Sequence, residues 1–145
     1  MIYKISSTEH TEALGRTLAM TLSDAGIKRA FITLDGEMGV GKTVFCRGFA
    51  SAFGISGVKS PTYTVVNEYR GGETRIFHFD LYRIDGEDDL ESIGFDDYLR
   101  AVGYCIAEWS SRVPDEIPAD AIRVRIDRDP ENEMGRIIEI TGLPV

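Results

Sequence analysis

The chain has 145 residues and a mass of 16.1 kDa, with 43% hydrophobic and 28% charged residues, which is the make-up of one folded domain and excludes a disordered chain. Sixteen Lys and Arg against twenty-four Asp and Glu leave a net charge of −8, which argues against a broad electrostatic grip on DNA or RNA. The excess is local: seven acids (Asp85, Glu87, Asp88, Asp89, Glu91, Asp96 and Asp97) lie together without a Lys or Arg among them, and the rest of the chain carries −1.

In chain order, Ile2–Ile5 reads as a short first strand. Ser6-x-x-Glu9 has capping-box spacing ahead of a helix with Leu14, Leu18 and Leu22 on one stripe, stopped by Gly26. Ala30–Asp35 is an apolar run of buried-strand length that leads into a glycine-rich loop, and a helix follows from Thr43 to about Phe53. Residues 55–62 read as loop, with Pro61 fixing an extended approach. Tyr63–Tyr69 and Thr74–Asp80 read as a hairpin around Gly71-Gly72. The acidic segment suits one or two short helices ending near Leu99, and residues 103–108 form a second apolar run that ends in an acid. Ile122, Val124 and Ile126 alternate with charged residues, as do Ile138 and Ile140, which suggests an exposed antiparallel pair closing the fold. Strands interleaved with helices give an α/β class with a mixed sheet.

No apolar run approaches the roughly 18–20 residues of a membrane helix, and the first residues lack a signal-peptide pattern. Cys46 and Cys105 lie in apolar stretches without a CxxC partner and read as buried small hydrophobes in a reducing compartment, which points to the cytoplasm. With only His10 and His78 beside them, a zinc site has no support.

Gly36-Glu37-Met38-Gly39-Val40-Gly41-Lys42-Thr43 matches GxxxxGK[ST], the Walker A pattern, at every fixed position. Glycines let successive backbone N–H groups turn inward onto phosphate oxygens, and the following helix adds the positive end of its dipole. In this setting Lys42 reaches the β- and γ-phosphates and the Thr43 hydroxyl ligates Mg²⁺. A P-loop also needs an acid for the metal and a group to orient the attacking water. Asp80 and Glu108 each end an apolar strand, and carboxyl ends of strands converge on the ligand crevice of an open α/β sheet. Either acid could hold Mg²⁺ while the other positions water; the bland alternative has Asp80 capping its turn and pairing with Arg83. Ser60–Thr64 follows at the distance of a switch-like loop, or is an ordinary extended loop around Pro61. Trp109, the only tryptophan, either stacks near the nucleotide or a partner or packs in the core. The acidic run reads first as a solvated face, and second as a docking face for a basic protein surface.

The P-loop continuing through Thr43 to Phe49, then Lys59-Ser-Pro-Thr-Tyr-Thr64, His78-Phe-Asp-Leu-Tyr-Arg83 and Glu108-Trp109, resembles the TsaE (YjeE) family in order along nearly the whole chain. The resemblance implies a single P-loop NTPase domain with a mixed sheet flanked by helices. It implies ATP as substrate, Mg²⁺ as cofactor and the TsaD and TsaB proteins as partners in making threonylcarbamoyladenosine beside the tRNA anticodon. The threonylcarbamoyl transfer would belong to TsaD, and tRNA would be met only indirectly. Functional positions carry over at Lys42, Thr43, Asp80, Glu108 and Trp109. Arg136 of Gly135-Arg136, and more distantly Thr11, are implied as nucleotide contacts. Departures from the family pattern lie in the termini and in Ser110-Ser111-Arg112. The competing classes are a small-molecule P-loop kinase, for which the acidic segment is a poor lid, and a GTPase switch, for which no Asn-Lys-x-Asp stretch is present.

Overall fold

The computed structural model describes residues 1–144. The strands are β1 (Ile2–Ile5), β2 (Ala30–Asp35), β3 (Val66–Gly71), β4 (Thr74–Asp80), β5 (Tyr104–Glu108), β6 (Ile122–Asp129) and β7 (Asn132–Thr141). They form one sheet in the order β1-β7-β6-β2-β5-β4-β3. The four inner strands β6, β2, β5 and β4 are parallel, while β3 on one side and β7 on the other run against them, and β1 pairs antiparallel with β7 at the edge. Parallel strands are covered on both faces, which is why β2 and β5 read as continuous apolar runs.

Helices α1 (Thr8–Asp24) and α2 (Lys42–Ser51) cover one face, and α3 (Glu87–Ser92) and α4 (Phe95–Arg100) belong to the acidic segment. Alternate residues of each strand serve the two sides. Ile32, Leu34, Ile76, Ile106, Val124 and Ile138 pack with Leu18, Leu22, Phe45 and Phe49 of the long helices. Phe31, Phe77, Phe79, Cys105 and Ala107 pack with Leu90 and Phe95 of the short ones. Helices α1 and α2 touch backbone to backbone: a Cβ on Gly48 would run into the Glu12 carbonyl, and one on Gly15 into the Phe45 carbonyl.

Three expectations change. The α1 cap is Ser7, whose side chain accepts from the His10 N–H, while Ser6 Oγ meets the His10 ring Nδ1 at 2.9 Å. Ser7 holds the extended backbone of an N-cap, φ −152° and ψ 163°, directly before the first helical residue, which places its side chain and not that of Ser6 to cap. β3 begins at Val66, not Tyr63, because Val65 takes a positive φ of 70° in a turn whose N–H returns to the Pro61 carbonyl. β6 is not part of an exposed pair: it lies inside the sheet between β2 and β7, and Ile122, Val124 and Ile126 are buried.

Candidate nucleotide site

The glycine loop leaves the carboxyl end of β2 and enters α2, as its spacing predicts. Gly36, Gly39 and Gly41 have φ of 152°, 79° and 112°, values that side chains resist, and a Cβ on Gly36 would strike the Ile126 carbonyl of β6. Gly41 is the N-cap of α2 and offers no side chain, so the first N–H groups of that helix stay available for an anion.

Lys42 turns back over this loop. Its Nζ donates to the Gly36 carbonyl at 2.7 Å, stands 3.7 Å from Glu108 Oε1 and sits 4.5 Å from the centre of the Trp109 ring. The ammonium is buried, as are Asp80 and Glu108. Those two acids are register neighbours at the ends of the parallel strands β4 and β5, so the sheet delivers two acidic residues side by side, Glu108 of them against the lysine. Asp80 Oδ1 accepts from the Tyr82 N–H at 3.0 Å, which gives it the turn-capping role. The pairing of Asp80 with Arg83 is not made: the Arg83 guanidinium instead donates to the Thr62 carbonyl, tying the strand end to the Ser60–Thr64 loop. In that loop Ser60 Oγ and Thr62 Oγ1 bond each other at 2.6 Å, and the Thr64 hydroxyl donates to Asn67 at 2.6 Å.

Glu108 is held from behind. Its Oε2 meets His78 Nε2 at 2.6 Å, and His78 Nδ1 meets Cys46 Sγ at 3.4 Å. Burial opposes a charge on His78, but the neighbouring Cys46 sulfur and Glu108 carboxylate outweigh it and raise its pKa from 6.5 to about 10. A buried carboxylate thus sits between the Lys42 ammonium and the His78 ring, beside a loop shaped for anions. His78 was missed as a site residue, although its place two residues before Asp80, on the face of β4 that meets α2, is a usable signal. Asp35 and Ser110 were missed too; the Ser110 hydroxyl donates to Asp35 at 3.3 Å at the start of the loop.

Trp109 has φ 58° and ψ 37°, a left-handed conformation costing on the order of 1–2 kcal/mol for a residue with a side chain. The strained residue presents its ring to Lys42, with Tyr82 edge-on at 5.1 Å. It therefore lies at the phosphate loop rather than in the core.

Thr11 and Arg136, far apart in the chain, meet at one end of the loop. They line a cavity of about 150 Å³ with Ser7, Gly39, Gly41 and Val44, and Arg136 Nε donates to the Val40 carbonyl at 2.9 Å. Glu37 and Met38 lie outward: Glu37 is 3.9 Å from Arg128, which also donates to the Met38 carbonyl. A second cavity, about 450 Å³, adjoins Gly36 and Trp109 and is lined by Asp35, Ser110, Arg123 and Arg125. Among the described residues no group of three or more His, Cys, Asp and Glu side chains forms a metal cage. The candidate donors on the strand ends and at the start of α2, the Asp80 and Glu108 carboxylates and the Thr43 hydroxyl, are oxygen groups, the chemistry that suits Mg²⁺.

A strand that enters a glycine loop and a helix, with two acids on neighbouring parallel strand ends, defines a P-loop α/β protein. The chain belongs to the TsaE family: the family described as "Threonylcarbamoyl adenosine biosynthesis protein TsaE" matches residues 5–138. The tRNA threonylcarbamoyladenosine biosynthesis protein TsaE of Bacillus subtilis is 33% identical over 132 residues, 90% of this chain and 80% of that protein. The protein of the same name from Haemophilus influenzae is 42% identical over 101 residues, 69% of this chain and 64% of that one. The crystal structure of Bacillus subtilis YdiB superposes with a TM-score of 0.76 at 28% identity, covering 95% of this chain and 82% of that one. The family is one of tRNA threonylcarbamoyladenosine biosynthesis. Among the described residues no helix is long and apolar enough to cross a membrane.

Proposed function

We propose that this chain binds and hydrolyses ATP with Mg²⁺ and thereby supports a TsaD–TsaB complex in tRNA threonylcarbamoyladenosine formation. The observation that carries this reading is Lys42 set against buried Glu108, with Asp80 its register neighbour, at a loop whose backbone is shaped for phosphate. ATP would lie with its phosphates along residues 36–43 and its nucleoside toward Thr11 and Arg136. Thr43, Asp80 and Glu108 would hold Mg²⁺, which supplies neutralisation of phosphate charge. Lys42 neutralises the β- and γ-phosphate oxygens, and the buried carboxylates orient the water that attacks the γ-phosphate in line as the bond to ADP breaks.

Hydrolysis by the isolated chain is slow in this reading. Two of the arginines at the loop, Arg128 and Arg136, are engaged by its Met38 and Val40 carbonyls, and in this reading a partner completes the site. Turnover of ATP, measured alone and with TsaB–TsaD, tests this; equally fast rates in both would sink it. Glu108→Ala should retain nucleotide binding better than turnover, and a wild-type ATPase rate in that variant would contradict the role of Glu108.

One observation favours a second reading, a small-molecule P-loop kinase. The cavity of about 450 Å³ beside Gly36 and Trp109 carries two guanidinium groups and has room for an acceptor. Release of the γ-phosphate as inorganic phosphate in quantitative balance with ADP decides for the ATPase.

A further inference from the structure

We infer that His78 is the positioning residue for Glu108, holding its carboxylate toward Lys42 and the phosphate loop. The inference rests on the reading of Glu108 as part of the ATP site. His78 is wholly buried. A polar ring at such a place is costly unless both nitrogens find partners, and a Leu or Phe would fill the space without that demand. Its same-face neighbour Ile76 shows what packing alone selects there. Both nitrogens of His78 are engaged, and by two different elements: Nε2 by Glu108 of β5 at 2.6 Å and Nδ1 by Cys46 of α2 at 3.4 Å.

Cys46 lies one helical turn beyond Lys42 on α2, so the ring braces the helix that carries the lysine against the strand that carries the carboxylate. The distances describe one chain, from Cys46 Sγ through the imidazole to Glu108 Oε2, and from Glu108 Oε1 across 3.7 Å to Lys42 Nζ. An ionised carboxylate only accepts, so Nε2 carries the proton whether or not the ring is charged. Cys46 then donates its S–H to a neutral ring or accepts from a charged one, and the grip on Glu108 is the same in either case. Removing the Nε2–H leaves Oε2 buried without a donor and frees the carboxylate to close on Lys42, the group that has to meet phosphate.

Two substitutions separate positioning from packing. The amide of His78→Gln reaches the place of Nε2 and keeps a donor for Glu108. The amide of His78→Asn reaches only the place of Nδ1 and keeps the Cys46 side. With TsaB–TsaD present, His78→Asn should lower ATP turnover by about 10-fold or more while ATP affinity and melting temperature follow those of His78→Gln, which restores most of the turnover. Equal losses in both variants, or none in either, would overturn the inference. Glu108→Ala separates the two levels: if it abolishes turnover and His78→Asn does not, only the role of His78 fails, and if it turns over like wild type, the reading of the ATP site fails. A readout free of activity and of folding in the His78 variants is the ring N–H resonance of His78 in the nucleotide-free protein. With Nε2–H on a buried carboxylate it should be shielded from exchange and should move or vanish in Glu108→Ala; an unchanged signal would overturn the contact itself.

Discussion

The two faces of the sheet are built from alternate residues of the same strands, yet they are held in different ways. On one face α1 and α2 meet backbone to backbone at Gly15 and Gly48, over a layer mostly of Ile, Leu and Val, with the Phe49, Phe53 and Tyr104 rings packed together in the same core. On the other, two six-residue helices rest on rings packed at angles: Phe31 with Phe95 at 6.0 Å, Phe79 with Phe95 at 5.3 Å, Phe79 with Tyr98 at 5.2 Å and Phe77 with Tyr98 at 5.0 Å. Backbone contact has no slack, because no side chain can rotate to relieve it. Aromatic edges can shift and re-form with little loss. Lys42, Cys46, His78 and Glu108 all belong to the first face or its rim, so the groups that need sub-ångström placement sit on the side that cannot give. Of the seven acids between Asp85 and Asp97, all but Asp89 are exposed, and the segment lies on the softer side.

The largest stability effect should come from the smallest addition. Gly48→Ala places one methyl against the Glu12 carbonyl, which is main chain and can yield only by moving α1. A loss of about 3 kcal/mol is expected, or about 6–12 °C in melting temperature for a chain of this length. An unchanged melting temperature would refute the close approach. Lys42→Ala should act on binding more than on folding. Loss of one charge-assisted contact to phosphate, worth about 1.5–3 kcal/mol, weakens ATP affinity by about 10–100-fold. The melting temperature should fall less than in Gly48→Ala, and unchanged ATP affinity would remove the phosphate-loop reading altogether.

The rigid face was also the more legible one, for a local reason. The eight residues 36–43 carry their meaning in fixed spacing, and β2, β4 and β5 show their ends because an acid interrupts an apolar run at Asp35, Asp80 and Glu108. What escaped depends on which strand lies beside which. Cys46 and His78 are 32 residues apart, and their contact exists only because β5 inserts between β2 and β4 beneath α2. Alternation in β6 correctly gave one buried face, but nothing local said that its hydrogen bonds continue into β2 on one side and β7 on the other. Thr11 and Arg136 gained their place from the family resemblance, and the cavity beside Gly39 and Gly41 is what brings them together. No pattern in the sequence joins them.

On the softer face, Phe95→Leu should cost about 1–2 kcal/mol, since the branched side chain is smaller by three carbons and the Phe31 and Phe79 rings can shift to close part of the gap. A loss in denaturant unfolding as large as that of Gly48→Ala would show that the two faces are equally intolerant.

The finest difference is in how each face opens, and the two cysteines report it, one under each layer. Cys105 lies beneath α4, with its Sγ 3.8 Å from the Tyr98 carbonyl, and Cys46 lies beneath the paired long helices against His78. Burial pushes the Cys105 thiol up from its ordinary 9.0 to about 12, so in the closed protein it holds its proton across the neutral and mildly basic range. The unfolded or opened chain gives up that proton near pH 9 and the folded chain only near 12. The contribution of this thiol is therefore full below about pH 9 and is lost as pH rises through about 12. Alkylation at pH 8 consequently measures opening, because only an opened Cys105 forms thiolate. Short helices with few buried side chains open by local excursions, whereas α1 and α2 should part only when the whole sheet unfolds. Native-state labelling should therefore modify Cys105 ahead of Cys46, with a weaker dependence on added denaturant. Modification of both at one rate with one slope would mean that the two faces open together, and that the contrast between them is one of geometry without a counterpart in stability.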